Sequence, residues 1–230
     1  MHSGPGQVAQ VYLDGSARID CAADLIPAPG QYLLAHADGS DAPLPAPLFL
    51  YDVTANGFRF AAPVPLAWRP GTQLNLRGPL GHGFTLPAAA RKLALIAWDD
   101  SAARLRGLIS IALQNNLEVV LACDAVLQDL PEVVEIQPLR AVPEACKWAD
   151  FIAVDIAREN LHQLKEMFGD MTRLAAAREA QVLVRAPVPC GGLAECGVCA
   201  VSMARGWRMT CRDGPVFNAV DLFGSLSTRS

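Results

Sequence analysis

The chain has 230 residues, of which 18% are charged and 52% hydrophobic, and a formal net charge of −4. A charged fraction below the roughly 25% of soluble chains lets the sequence bury a large core and still hide surface against a partner. The acidic balance argues against nucleic acid as that partner, and 17 Pro and 18 Gly are too near average usage for a collagen-like or low-complexity polymer.

The start, Met1-His-Ser-Gly-Pro-Gly, has no basic region followed by an apolar run, so no signal peptide is expected. No stretch approaches the roughly 18 apolar residues of a membrane span. Seven cysteines without a secretory signal point to a reducing compartment, and the expected location is cytoplasmic. Their odd number fits a disulfide framework poorly.

Three zones follow one another. Residues 1–87 are rich in Gly and Pro and carry short apolar runs at Gln7–Leu13, Gln31–His36, Pro47–Val53, Phe58–Ala62 and Gln73–Leu76. Short runs separated by turn signals predict an antiparallel β-barrel or sandwich. Residues 91–187 alternate apolar runs (Leu93–Trp98, Val119–Cys123, Val133–Ile136, Phe151–Ile156, Gln181–Val184) with helical segments over Ser101–Asn116 and Glu159–Gly169. Alternation of this kind predicts an open parallel sheet with covering helices, whose strands are buried on both faces. Residues 188–230 lose helical periodicity and gather cysteine and glycine. Residues 1–180 hold 14 Lys+Arg against 20 Asp+Glu, net −6, whereas residues 181–230 hold 5 against 3, net +2. The fold class is therefore mixed β and α/β, with a barrel, a sheet domain and a small cysteine-rich domain.

Four cysteines are spaced Cys190-x5-Cys196-x2-Cys199-x11-Cys211. Four thiolates with no nearby His suit tetrahedral zinc or an iron–sulfur cluster. Zinc ribbons commonly show two Cys-x2-Cys hooks, and here there is one. The plant-type [2Fe–2S] spacing, Cys-x4-Cys-x2-Cys…Cys, is one residue shorter in the first gap. Gly191, Gly192 and Gly197 suit a loop that wraps an inorganic core, because they accept positive φ and let backbone N–H groups approach the sulfurs. Arg205, Arg208 and Arg212 are candidates to offset the cluster's negative charge. Cys21, Cys123 and Cys146 lie in or beside apolar runs and read as core residues. Trp207 is a candidate shield for the cluster, with plain packing as the other reading.

The window Pro189-Cys-Gly-Gly-Leu-Ala-Glu-Cys-Gly-Val-Cys-Ala-Val201 and the ending Cys211-Arg-Asp-Gly-Pro-Val-Phe217 resemble the cluster domain of the electron-transfer subunit of class 1B dihydroorotate dehydrogenase. That family lies within the ferredoxin-reductase superfamily. Gly78-Pro-Leu-Gly-His-Gly-Phe84 and Trp148-Ala-Asp-Phe-Ile-Ala-Val154 are similar to segments at the end of its barrel and in its nucleotide domain. The resemblance implies an FAD-binding barrel (1–87), a nicotinamide-nucleotide domain (91–187) and a [2Fe–2S] domain (188–230) ligated by Cys190, Cys196, Cys199 and Cys211. It also implies a hetero-oligomer with an FMN-containing catalytic subunit.

The sequence departs from that pattern at both nucleotide sites. Where the family carries Arg-Pro-x-Ser against FAD, this chain has Ala46-Pro47-Leu48-Phe49, without the charge and the hydroxyl and with a bulky ring. The family's Gly-Thr is missing near Ala61–Val64. Loss of a phosphate-binding Arg removes a strong charge-assisted contact, so FAD binding of the family's kind is not expected. After Leu93–Trp98 the chain runs Asp99-Asp100-Ser101-Ala102 in place of a glycine-rich turn. Like charge and lost backbone approach argue against NAD(P), and the acids read as an ordinary helix N-terminus. Isolated His2, His36, His82 and His162 form no nucleophile–base set. The expectation is an iron–sulfur relay subunit on a flavin-containing partner without NAD(H) use. The alternatives are an FAD-containing NAD(P)H-linked reductase and a zinc-stabilised scaffold.

Overall fold

The structure is a computed structural model that describes residues 2–99, 101–125, 129–170 and 179–224. Residues 2–80 form a closed six-stranded antiparallel barrel from β1 (His2–Val11), β2 (Ala17–Cys21), β3 (Tyr32–Ala37), β4 (Ala46–Thr54), β5 (Gly57–Phe60) and β6 (Gln73–Leu80). The strand order is β1-β2-β5-β4-β3-β6, closing through the β1–β6 pair. The barrel is filled by the alternate residues of each strand, among them Val8, Ile19, Leu33, Leu48, Phe58, Phe60, Leu74 and Leu76. β2 buries just Ala17 and Ile19 fully in the barrel, with Cys21 at the edge of the core, too little apolar signal to stand out as a run.

The second layer is a six-stranded sheet of order β14-β11-β10-β7-β8-β9. Its parallel strands are β7 (Lys92–Ala97), β8 (Glu118–Ala122), β9 (Glu135–Gln137), β10 (Phe151–Ala157) and β11 (Glu179–Arg185). Both faces are covered, which explains the unbroken apolar runs. One face packs with α1 (Arg106–Gln114) through Leu108, Ile109 and Ala112. The other packs with α2 (Val142–Trp148) and α3 (Leu161–Asp170) through Val142, Cys146 and Leu164. Gly169, expected to end its helix, lies inside α3.

The cysteine-rich segment forms a short hairpin, β12 (Ala200–Ser202) with β13 (Trp207–Met209). It then returns to the sheet. β14 (Val216–Asn218) pairs antiparallel with β11, and α4 (Ala219–Phe223) follows. Phe217, Ala219 and Leu222 are buried with the α2/α3 face of the sheet. Among the described residues no helix is long and apolar enough to cross a membrane.

Candidate functional site

The loop after β11 curls tightly. Positive φ at Gly191 (62°), Gly192 (82°), Ala194 (59°) and Gly197 (71°) turns successive N–H groups inward, the form of an anion-binding nest. The N–H groups of Ala194, Glu195 and Cys196 reach the Cys190 sulfur, and the N–H of Ala194 also reaches Cys211. The four thiols stand as two pairs around this loop. Cys190 contacts the Cys196 side chain, and the Cys199 thiol donates to the Cys211 sulfur at 3.2 Å. Cys199 and Cys211 are buried, Cys190 is half-buried and Cys196 exposed. Among the described residues no three His, Cys, Asp or Glu side chains converge closely enough to hold one metal ion; two pairs of thiols is the spacing present.

The two pairs differ in electrostatics. Burial pushes Cys190 up, but its contacts with Cys196 and the three N–H groups outweigh this and bring it down to about 6. Cys211 is pushed up to about 12, first by burial, then by its contact with Cys199 and the charge of its neighbours. Two buried hydroxyls beside these sulfurs, Tyr32 Oη and Thr210 Oγ1, have no hydrogen-bond partner. An anionic sulfur-rich group held by the four thiolates fits this surrounding, since inward N–H groups and unpaired donors both favour it.

The three arginines that are candidates to offset the charge stand on the surface, Arg212 next to Cys211 in sequence and within reach of its charge. Arg205, Arg208 and Arg212 are exposed, and Arg212 pairs with Asp213 at 3.0 Å. Trp207 is 65% exposed on β13, so it does not cover the thiols. It joins Leu193 and Val198 among the large apolar side chains left open on this segment. Cys123 and Cys146 are buried in the sheet cores, and Cys21 packs at the edge of the barrel core.

The segment Gly78–Phe84 is a clasp. A Cβ at Gly81, where φ is +74°, would meet the Gly214 carbonyl oxygen at 2.4 Å, and one at Gly83 the Pro29 oxygen at 2.6 Å. His82 donates its backbone N–H to Gly214 O at 2.6 Å, and its exposed ring contacts Asp213 O at 3.1 Å. These glycines allow the end of the barrel to touch the backbone of the cysteine segment.

Between barrel and sheet lies a cleft of about 300 Å³, lined by Tyr32, Pro47, Phe49, Arg104, Arg185 and Thr210 among others. That volume is at the lower end of the range for ligand clefts. Of the segment Ala46-Pro47-Leu48-Phe49, Leu48 is inside the barrel while Pro47 and Phe49 face the cleft. The Phe49 ring lies 5.5 Å from that of Tyr32 and 6.0 Å from the Arg104 guanidinium.

The sheet's order reverses between β7 and β10, and ligands of open α/β sheets bind beyond the strand ends at such a point. Here the strand ends are tied to one another. Asp155 of β10 is 1% exposed and accepts from Arg104 Nη1 at 3.1 Å and Arg185 Nε at 2.7 Å. Asp99, after β7, accepts from Arg185, from the Ala157 N–H at 2.6 Å and from Asn160 at 2.5 Å. Asp99 is thus a bridge between strand ends, not the helix-terminal acid expected of it. Asp100 lies outside the described residues. Ser101 accepts the Ala103 N–H at 3.2 Å. The first turn of the α1 region is also covered: Ala103 is buried with Tyr51 and Ala61 of the barrel, and Gly107 abuts Leu50 and Pro29. Asp155 was not among the residues expected from sequence, although a lone carboxylate inside Phe-Ile-Ala-Val-Asp-Ile-Ala is a visible signal of a buried charge pair.

Barrel, doubly covered sheet and the cleft between them define the ferredoxin-reductase fold. The chain superposes with a TM-score of 0.70 on an NADH-dependent reduced ferredoxin–NADP oxidoreductase, at 16% identity over 94% of this chain and 89% of that one. It is similar in fold to the Amycolatopsis cytochrome P450 reductase GcoB, with a TM-score of 0.55, 15% identity, and 79% and 69% coverage. It is also similar to phthalate dioxygenase reductase, with a TM-score of 0.50, 13% identity, and 73% and 64% coverage. No family model matches the chain.

Proposed function

We propose that this chain is an iron–sulfur electron-transfer subunit that docks on a flavin-containing catalytic protein, of the dihydroorotate dehydrogenase kind, and makes no use of NAD(H). The observation that carries this reading is the gathering of Cys190, Cys196, Cys199 and Cys211 as two pairs around one loop of inward N–H groups. Two pairs suit two irons with two thiolates each better than a single tetrahedral zinc. When bound, a [2Fe–2S] centre supplies one-electron transfer. The chain's own part is to hold it: Cys199 and Cys211 bury one side, the nest solvates the sulfurs, and Cys196 faces outward. Exposed Leu193 and Val198, three and two residues from Cys196, support docking of a partner at that edge, since large apolar side chains are enriched in interface cores. Phthalate dioxygenase reductase is described as modular for electron transfer from pyridine nucleotides to [2Fe–2S], which supports a relay role for this fold.

The case against nicotinamide rests on space and charge. Asp99 and Asp155 occupy the strand ends, and the turn that receives a pyrophosphate in dinucleotide folds is packed on the barrel. One observation favours the second reading, an FAD-containing reductase: a cleft remains beside Phe49. Protein purified without oxygen separates the readings. Iron and acid-labile sulfide matching one [2Fe–2S] centre per chain, no released flavin, and no bleaching by NADH are expected. Stoichiometric flavin with NADH bleaching supports the reductase, and zinc without iron overturns both.

A further inference from the structure

Tyr32 begins β3 and is 2% exposed, yet its hydroxyl has no hydrogen-bond partner. A buried hydroxyl left unpaired is costly, so its place calls for an explanation. The surroundings supply one. Burial raises the Tyr32 phenol above its ordinary range, and the next causes in size are the charges of Cys211, Cys199 and Cys190. The geometry agrees: Tyr32 clusters with Leu34 and Leu80, whose side chains would lie 3.8 and 3.4 Å from a Cβ on Gly192, and it lines the cleft together with Val188 and Thr210. It is not a surface group of the barrel but a donor held against the cysteine loop.

A second barrel residue faces the same loop. Arg77 of β6 sits across from Leu34, in the strand pair that also carries Tyr32. Its Nη2 would lie 3.4 Å from a Cβ on Gly192 and 3.6 Å from one on Gly191. The glycines leave room for this guanidinium. It makes no ion pair or side-chain hydrogen bond with another described residue. An unpaired cation against a glycine loop, beside an unpaired buried donor, is an arrangement that awaits negative charge between them.

We propose that Tyr32 and Arg77 are the barrel's contacts to the iron–sulfur centre: the Tyr32 hydroxyl donates to one of its sulfurs, and the Arg77 guanidinium offsets its negative charge. The inference rests on the iron–sulfur reading above. Reduction adds one electron to an anionic group, so a donor and a cation stabilise the reduced form more than the oxidised form. The barrel has lost the family's FAD-binding pattern, yet it still serves electron transfer. It raises the centre's reduction potential and ties that potential to the docking of barrel on cysteine loop.

The test is a potentiometric titration of the full chain without oxygen, comparing wild type with Tyr32→Phe, Arg77→Gln and Tyr51→Phe. Tyr51 is a barrel tyrosine stacked on Arg59 and Arg106 and serves as the control. Tyr32→Phe is expected to move the midpoint to more negative values by the equivalent of about a threefold to tenfold change in the reduced-to-oxidised ratio, tenfold being about 59 mV for one electron. Arg77→Gln moves it the same way by less, because Arg77 is only half-buried. Tyr51→Phe leaves it in place. Resonance Raman bands of the iron–sulfur stretches shift on transfer to D2O in the wild type, and the shift is smaller in Tyr32→Phe, the backbone N–H groups supplying what remains, a signature that a packing role would not give. Cluster-loaded variants with wild-type potentials overturn the inference and leave the iron–sulfur reading standing. Wild type without iron and sulfide overturns both. Should Tyr32→Phe fail to load, Arg77→Gln decides alone.

Discussion

A carboxylate in the middle of an apolar strand needs partners, and Asp155 has two guanidinia. Arg104 and Arg185 take one oxygen each, and Arg185 reaches on to Asp99. Truncation of one member of a buried pair leaves the others uncompensated, at about 3–5 kcal/mol. Asp155→Ala is therefore expected to lower unfolding free energy by that amount in urea titration, and Asp155→Asn by less. A loss under about 1 kcal/mol for the alanine variant would mean the network contributes little to holding the strand ends together. At the same scale the thiols divide by burial: the exposed edge of the loop carries Cys196, and the interior carries Cys199 and Cys211. Spacing alone singles out these four residues as candidates, because short Cys spacings and glycines are local signals. The surroundings of Tyr32, Arg77 and Asp155 were not legible, because each depends on neighbours distant in sequence.

Among the elements, β14 ties the cysteine segment to the rest of the molecule. Its Phe217 is 6% exposed in the core between sheet and helices, and its ring lies where a Cβ on Gly214 would stand, at 2.4 Å. The Gly-Pro-Val-Phe ending thus acts structurally. Phe217→Ala is expected to cost about 3–5 kcal/mol and to loosen the hairpin as well, seen as faster hydrogen exchange at Ala200–Met209. Wild-type exchange there would show the hairpin to be independent of β14. The strands of both layers were largely legible from runs and turns, since period-two and fully buried strands leave local patterns. Two classes of element were not. β2 offers Ala17 and Ile19 to the core with Cys21 at its edge, and α2 spans seven residues, too few for a clear helical face. The antiparallel return of β14 is a tertiary choice that three residues cannot announce.

At the scale of the whole molecule, the fold is that of ferredoxin reductases, and its own side chains line and narrow the region between barrel and sheet. Phe49 and Tyr32 wall the cleft from the barrel, Asp99 and Arg185 bind the strand ends together, and the start of the α1 region rests on β4. The low charged fraction finds its counterpart in these contacts and in the apolar side chains open beside Cys196. On the proposed reading, the cysteine loop is the part that carries the electron. The most direct measurement is the electron paramagnetic resonance spectrum of the full chain after anaerobic purification and reduction by dithionite. The account predicts an S = 1/2 signal integrating to the protein concentration, absent before reduction and abolished in Cys211→Ser. A silent spectrum from protein that carries stoichiometric zinc would contradict it.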